Sequence, residues 1–260
     1  MVAALILDDG DRVAIHRALG RRTTVRLCER ADAFRSTLAV TDVRLVVSEL
    51  RDRVGAAVLP VLIEQASRAD APPIIVRASL ADGAADDLIQ LATARIPARV
   101  SVRDAAPISD AVLAALGGSG EPSADLVILE RVGPSVPRPV RAFLVLCAVS
   151  PSPRLHVERA ATLLGVSRRT LENRLALGAL PPAHSVIAWC VVLHAAWQLD
   201  VLGHRPKEVA ANLGFASGAA VANLLRRYCG CSARSLRNHG GFQTQLERFA
   251  ALVQPNLRTE

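Results

Sequence analysis

The sequence of 260 residues predicts two domains, an α/β domain at residues 1–118 and an all-α domain at residues 138–240. In the first domain, apolar segments alternate with amphipathic helical segments. In the second domain, helical patterns follow one another and positive charge accumulates. Residues 117–123 between them read GGSGEPS, a composition typical of a flexible linker. The length allows each domain to bury a core of its own.

Five strand–helix units make up the first domain. Apolar strands are predicted at residues 2–7, 24–28, 43–47, 73–76 and 100–102, and helices at residues 11–19, 31–38, 56–66, 84–93 and 109–116. Strands that are apolar throughout indicate a parallel sheet covered by helices on both faces. Five such units predict a flavodoxin-like fold with a five-stranded parallel sheet, whose sites lie at the carboxyl ends of the strands.

Three carboxylates follow two of these strands, and we expect them to converge at one edge of the sheet. Asp8 and Asp9 come after the first strand, and Glu49 follows the third. The segments that carry them, LILDDGD and LVVSELR, resemble the receiver domain of bacterial response regulators, and the resemblance covers nearly all of residues 1–118. It implies that the two early acids correspond to residues that hold Mg²⁺. It also implies that Glu49 stands where an Asp accepts phosphate.

The chain departs from the receiver pattern at the positions that handle phosphate. Ala78 aligns with a hydroxyl residue of the family, although Ser79 is adjacent, and Arg103 lies near the position of a family lysine. A Glu side chain is one methylene longer than Asp, and the charge of a phosphoryl group would lack its stabilising groups. The sequence therefore predicts a pseudo-receiver that is not phosphorylated. Glu49 either holds an activated-like state through its fixed charge or belongs to a cluster without a role.

A linker is predicted at residues 119–137. Within it, residues 125–130 (DLVILE) form either a strand or a linker helix, and Gly133-Pro134, Pro137 and Pro139 stiffen the entry to the second domain.

The second domain contains a first helix-turn-helix pattern at residues 156–180, HVERAATLLGVSRRTLENRLALGAL. One apolar helix face ends at Gly165-Val166, and Ser167 is placed to cap the next helix, residues 168–177. Arg, Asn and Glu are the side chains that recognise guanine, adenine and cytosine in the major groove. The DNA-binding residues predicted here are Ser167, Arg168, Arg169, Thr170, Glu172, Asn173 and Arg174.

A second pattern follows at residues 208–237, EVAANLGFASGAAVANLLRRYCGCSARSLR. Its second helix presents mostly Gly and Ala outward, so its predicted DNA-binding residues are Ser217, Asn223, Arg226 and Arg227. We expect the first unit to make most of the base-specific contacts and the second to bind mainly the phosphate backbone. A connecting helix at residues 182–199, about 25 Å long, would hold the two recognition helices about 34 Å apart, one DNA turn. His194 on that helix is interpreted as a packed histidine rather than a ligand.

The two units together resemble the DNA-binding domain of the AraC/XylS family of transcription regulators. The resemblance covers residues 138–237 and rests on LLGVSRRTL, on NLGF and on the closing GCSARSLR, in which Ala233 replaces a family proline. It implies binding of double-stranded DNA. At residues 242–253, a short amphipathic helix within the C-terminal segment 241–260 is expected to pack back on this domain, with a dimer contact as the alternative.

Charge divides between the domains. Residues 1–136 contain 16 Arg and 18 acidic residues, a net charge of −2, whereas residues 137–240 contain 13 basic and 4 acidic residues, a net charge of +9. A basic domain beside a slightly acidic one is expected of a nucleic-acid-binding protein. The five scattered cysteines are interpreted as buried thiols in a reducing cytoplasm. No signal-peptide pattern, membrane-spanning run, metal-ligand spacing or catalytic constellation is apparent, so we expect no enzyme activity, metal or cofactor.

The sequence thus predicts a cytoplasmic bacterial transcription regulator. Two alternatives stay open for the N-terminal domain. It is a working phosphorelay receiver, or it senses a small ligand or a partner protein; homodimerisation through it is also open.

Overall fold

The computed structural model describes residues 1–20, 23–40, 42–80, 84–103, 107–117 and 123–254. The chain divides into two compact units, Met1–Leu126 and Val127–Glu260.

The N-terminal unit is a five-stranded sheet with order β2-β1-β3-β4-β5, in which every neighbouring pair is parallel. This confirms the predicted flavodoxin-like fold. The strands are β1 (Val2–Leu5), β2 (Val25–Cys28), β3 (Leu45–Glu49), β4 (Ile74–Ala78) and β5 (Ala98–Val102). The helices are α1 (Asp9–Leu19), α2 (Ala31–Val40), α3 (Leu59–Ala66), α4 (Ala85–Thr93) and α5 (Ile108–Gly117).

Helix α3 begins at Leu59, three residues later than the periodicity predicts. Pro60 occupies its first turn, where the missing amide hydrogen costs nothing. Ala57, just before it, is instead extended and forms an antiparallel bridge with Arg51.

The core of this unit explains why β1 and most of β3 and β4 are apolar. All four residues of β1 are buried, and Ala4, Val47 and Ile75 from three strands pack in one cluster with Ile15 of α1 and Val112 of α5. A strand covered on both faces has no position for a solvated side chain.

A helix lies within the segment predicted as a linker. Residues Ala124–Val132 form α6, followed by a 3₁₀ turn at Gly133–Ser135, so the undecided residues 125–130 are helical. The boundary between the two compact units falls inside α6. Most of the Gly/Ser run, residues 118–122, lies outside the described residues, as do residues 255–260 of the predicted C-terminal segment.

The C-terminal unit is helical throughout its described part. It contains α7 (Arg138–Val149), α8 (Val157–Leu163), α9 (Arg168–Leu177), α10 (Ala183–Asp200), α11 (Pro206–Leu213), α12 (Gly218–Cys229) and α13 (Gly241–Val253). Helix α10 is central, because it contacts α7, α9, α11, α12 and α13.

Helix α13 packs on α10 through aromatic pairs. The rings of Trp189 and Phe249 stack with their centroids 6.2 Å apart, and Trp197 meets Phe242 edge-on at 5.0 Å. Leu252, which the sequence places on the apolar side of this helix, is exposed.

All five cysteines are buried free thiols. Within the described ranges, no helix combines the length and the apolar composition needed to cross a bilayer.

His194 joins α10 to the carboxyl end of α7. Its Nε2 lies 2.7 Å from the carbonyl oxygen of Ala148. Because a carbonyl only accepts, Nε2 carries a hydrogen and donates it. Burial lowers the pKa of His194 to about 4, although the hydrogen bond to Ala148 opposes the shift. The ring is therefore neutral at neutral pH, as a packed histidine would be.

The lowered pKa of His194 leads us to predict that the protein loses stability in mild acid. Between pH 6.5 and 4 the unfolded chain binds a proton at residue 194 and the folded chain largely does not, so unfolding becomes easier as the pH falls, by about 3 kcal/mol over that window. Both tryptophans of the chain lie in α10, so urea unfolding followed by tryptophan fluorescence reports on this unit.

The variants His194→Gln and His184→Gln distinguish the contribution of His194 to this pH dependence from that of the other histidines. Gln at residue 194 can still donate to Ala148 but does not titrate, so the loss of stability between pH 6.5 and 4 should be smaller. His184, exposed on the same helix, is the matched control and should leave the loss unchanged. Equal pH dependence in both variants would contradict the assignment.

Candidate DNA-binding interface and N-terminal acidic site

The first helix-turn-helix unit consists of α8, a tight turn and α9. Gly165 adopts a left-handed conformation with φ 65°, and the amide of Val166 donates to the carbonyl of Ala161 at 3.0 Å, which closes the end of α8. The hydroxyl oxygen of Ser167 accepts from the amide of Thr170 at 3.0 Å. This N-cap starts α9 one turn before Leu171 enters the core.

Arg168 is held between two carboxylates. Its Nη1 pairs with Glu158 of α8, and its Nε donates to Glu172 one turn along α9 at 2.8 Å. The pKa of Arg168 is raised, first by the hydrogen bond to Glu172 and then by the charges of both carboxylates. In the unbound protein this guanidinium therefore links the two helices of the unit instead of pointing freely outward.

The other predicted residues of α9 differ in availability. Arg169, Asn173 and Arg174 are exposed, and their side chains make no hydrogen bond or ion pair with any other described residue. Thr170 is half-buried, with its hydroxyl 2.8 Å from that of Ser167, so these two residues form the cap. Among the predicted residues of α9, the side chains of Arg169, Asn173 and Arg174 are therefore available for contact with a ligand such as DNA.

The second unit repeats the design with α11 and α12. The amide of Arg205 donates to Glu208 at 2.7 Å at the start of α11. Gly214 ends that helix with φ 78°, and Ser217 caps α12 by accepting from the amide of Ala220 at 3.3 Å. Val221 and Leu225 face the core.

The outward face of α12 carries mostly small side chains. Asn223 accepts a hydrogen bond from Arg226 at 2.9 Å, and the guanidinium of Arg227 lies 5.6 Å from the centroid of the Tyr228 ring. Gly218 is small for a packing reason, because a Cβ there would lie 3.2 Å from the backbone carbon of Pro206 in α11.

The three acids predicted to converge in the N-terminal unit have different environments. Asp8 caps α1 by accepting from the amide of Asp11 at 2.8 Å. Asp9 points to solvent with its side chain 93% exposed and pairs with Arg12. Glu49 accepts from the amide of Leu7 at 2.8 Å and from Nη2 of Arg103 at 3.1 Å. No group of three or more candidate metal ligands occurs in the described part of the chain.

The carboxylate at the centre of this edge is Asp11, which sequence analysis did not single out. Arg77 of β4 donates to it through Nε and Nη2, both at 2.9 Å, and the two side chains are 3% and 9% exposed. Arg77 also donates to Ser101 at 2.7 Å, its neighbour in register on β5. Arg103 bridges Asp11 and Glu49.

Arg103 is firmly charged in this network. Burial lowers its pKa, but the charge of Glu49 and the hydrogen bond to Asp11 outweigh burial and raise it. The signal that could have revealed the network is Arg77 itself, since an arginine in a buried strand requires a buried anion.

A family model described as a helix-turn-helix domain matches residues 160–239. The match spans most of α8 and all of α9 to α12, so the C-terminal unit carries an AraC-type helix-turn-helix DNA-binding region. Comparisons with curated proteins and with solved structures gave no match. The family match covers none of the N-terminal unit, where the receiver resemblance stays a prediction.

The Asp11–Arg77 pair predicts a strong effect of a single neutralisation. Asp11→Asn removes the carboxylate that contacts the buried guanidinium of Arg77 in bidentate fashion, which costs about 3 kcal/mol. Hydrogen exchange measured by mass spectrometry should show faster exchange throughout β1 and β4. Asp9→Asn, the same change two residues away at an exposed site, should alter stability by less than about 0.5 kcal/mol. Equal protection in the two variants would show that the pair is dispensable.

Proposed function

We propose that the chain is a sequence-specific DNA-binding transcription regulator whose N-terminal unit is a regulatory domain that is not phosphorylated. The observation that carries the first half is the family match, which spans most of the first capped helix-turn-helix unit and all of the second. A pair of such units on one rigid helix can enter two successive major grooves on one side of a duplex.

We further infer that the first unit supplies most base recognition. Arg169 and Asn173 are exposed and unpaired among the described residues, and their side chains have the geometry for guanine and adenine. Arg168, tied to Glu158 and Glu172, serves mainly to fix α9 on α8. The small face of α12, with Arg226 and Arg227 in its last turn, suits contact with the phosphate backbone.

This division of roles predicts different DNA-binding defects. Arg169→Ala and Asn173→Ala should each relax specificity at one base pair, by about 1–3 kcal/mol. Arg226→Ala should weaken binding to all sequences alike and reduce the salt dependence. The measurements are selection of bound DNA from a random pool and salt titration of affinity.

Arg168→Ala is the matched control, because it removes the neighbouring arginine that two carboxylates hold. Base preference should survive this change. If Arg168→Ala relaxes specificity and Arg169→Ala does not, Arg168 leaves its carboxylates on binding and the assignment is wrong. Losses that are equal and independent of sequence in every variant would refute the division.

The N-terminal network supports a receiver-like domain without phosphotransfer. Phosphorylation requires a carboxylate oxygen free to attack and a divalent cation beside it. Oε1 of Glu49 already accepts hydrogen bonds from Leu7 and Arg103, and Asp11 is neutralised by Arg77 and Arg103. Guanidinium groups thus stand among the acids, and the acids present do not fit a magnesium site. Arg103 also compensates the charge of Glu49, which weakens the hypothesis that Glu49 mimics a phosphorylated state.

The absence of phosphotransfer is directly testable. Incubation of the full chain with acetyl phosphate and Mg²⁺ should leave its intact mass unchanged, because Arg77 and Arg103 already pair with Asp11, and Arg103 stands beside Glu49 where a divalent cation would be needed. Glu49→Asp, which shortens the carboxylate by one methylene, should also remain unmodified. A mass increase of one phosphate in the wild type would overturn this part of the proposal.

A further inference from the structure

A groove of about 570 Å³ opens between the two helix-turn-helix units. Its floor is the side of α10 that carries Ile187 and Val191. One wall is the segment that leads into α8, with Leu155. The opposite wall is α12, with Leu224 and Tyr228. The groove therefore lies on the helix that connects the two units and touches both of them.

The lining of this groove suits an organic molecule better than water alone. Ile187 and Val191 are buried, whereas Leu155, Leu224 and Phe215 are half-buried and line the open space. Concave apolar sites of roughly 300–1,000 Å³ with a few convergent polar groups are the usual form of small-molecule sites.

The charged groups of the groove favour an anion. Arg168 and Glu158 both line it, but they are paired with each other, so the one acidic side chain of the lining is compensated. Arg227 lies over the ring of Tyr228, and no carboxylate among the described residues pairs with it. Its guanidinium is a cation placed beside an apolar floor.

We propose that this groove binds a small amphipathic monoanion, whose aromatic or short aliphatic body lies on Ile187 and Val191 and whose carboxylate pairs with Arg227. Resting on the proposed function, we infer that occupation weakens DNA binding. Arg168 of α9 and Asn223 of α12 both contribute to the lining, so a bound molecule sits between the two recognition helices.

The DNA backbone is the competing occupant. A phosphodiester would pair with Arg227 equally well, but it gains nothing from a floor of Ile187 and Val191, since phosphate oxygens are satisfied by donors and water. The apolar floor therefore favours the small anion.

Calorimetric titration of the full chain with 4-phenylbutyrate and with decanoate tests the site without DNA. At least one should bind with a stoichiometry of one, and 4-phenylbutanamide, which lacks the charge, should bind at least about tenfold more weakly than 4-phenylbutyrate. Arg227→Met should weaken carboxylate binding by a similar factor. Arg159→Met, the same change at an exposed arginine of α8 outside the groove, should leave it unchanged.

A second variant tests the apolar floor. Ala188→Trp fills the groove with an indole ring and should also abolish carboxylate binding. Circular dichroism checks that this variant folds. Failure of both carboxylates to bind, or equal binding by wild type, Arg227→Met and Ala188→Trp, would overturn the proposal.

Anisotropy of a fluorescent mixed-sequence duplex at low salt supplies the second arm. Saturating carboxylate should lower the DNA affinity of the wild type but not that of Arg227→Met at the same concentration. If Arg227→Met loses DNA affinity while neither carboxylate binds the wild type, the groove belongs to the DNA backbone and the proposal fails. If no form of the chain binds DNA, the proposed function fails, and the calorimetry still decides the ligand site.

Discussion

The C-terminal unit depends on a helix that is buried over most of its circumference. The residues of α10 that are buried on its different sides include Ile187, Cys190, Leu193 and Ala196. A helix of this kind is stable in water only when other elements cover most of it. Helices α7, α9, α11, α12 and α13 supply that cover, so the placement of both recognition helices follows from one requirement for burial. The aromatic pairs Trp189–Phe249 and Trp197–Phe242 join α13 to α10.

The N-terminal unit is organised by a different constraint, the cost of burying charge. Arg77 stands in the central part of the sheet, in β4 between β3 and β5, and its side chain is buried. A buried guanidinium is tolerable only with a carboxylate in bidentate contact. Asp11 provides that contact from α1, and Arg103 extends the network to Glu49. Asp11 and Glu49 therefore serve as counter-ions of arginines. Their negative charge is compensated within the protein.

Features set by local sequence could be predicted, and features set by distant pairing could not. Ser167 was identifiable as a cap, because a hydroxyl before an apolar-periodic run satisfies free amides of the next turn. Ser217 caps α12 in the same way, although the sequence pattern predicts it only as a DNA-binding residue. The parallel sheet could be predicted because the strand segments are mainly apolar and alternate with amphipathic helices. Asp11 and Arg77, by contrast, are 66 residues apart, and only the fold brings them together. The Arg168–Glu158 pair was missed for the same reason, since its partners lie on different helices of the unit.

Residue 218 constrains how this protein could acquire a new operator. A Cβ at residue 218 would lie 3.2 Å from the backbone carbon of Pro206, closer than an ordinary contact, so a side chain there requires the backbone of α11 or α12 to shift by a few tenths of an ångström. Ala219 is exposed, and Asn223 lies one turn further along. Enlarging Ala219 or replacing Asn223 would therefore change the outward face of α12 with less disturbance of packing than a change at residue 218. The present sequence, with its small side chains, leaves that half of the interface open to change.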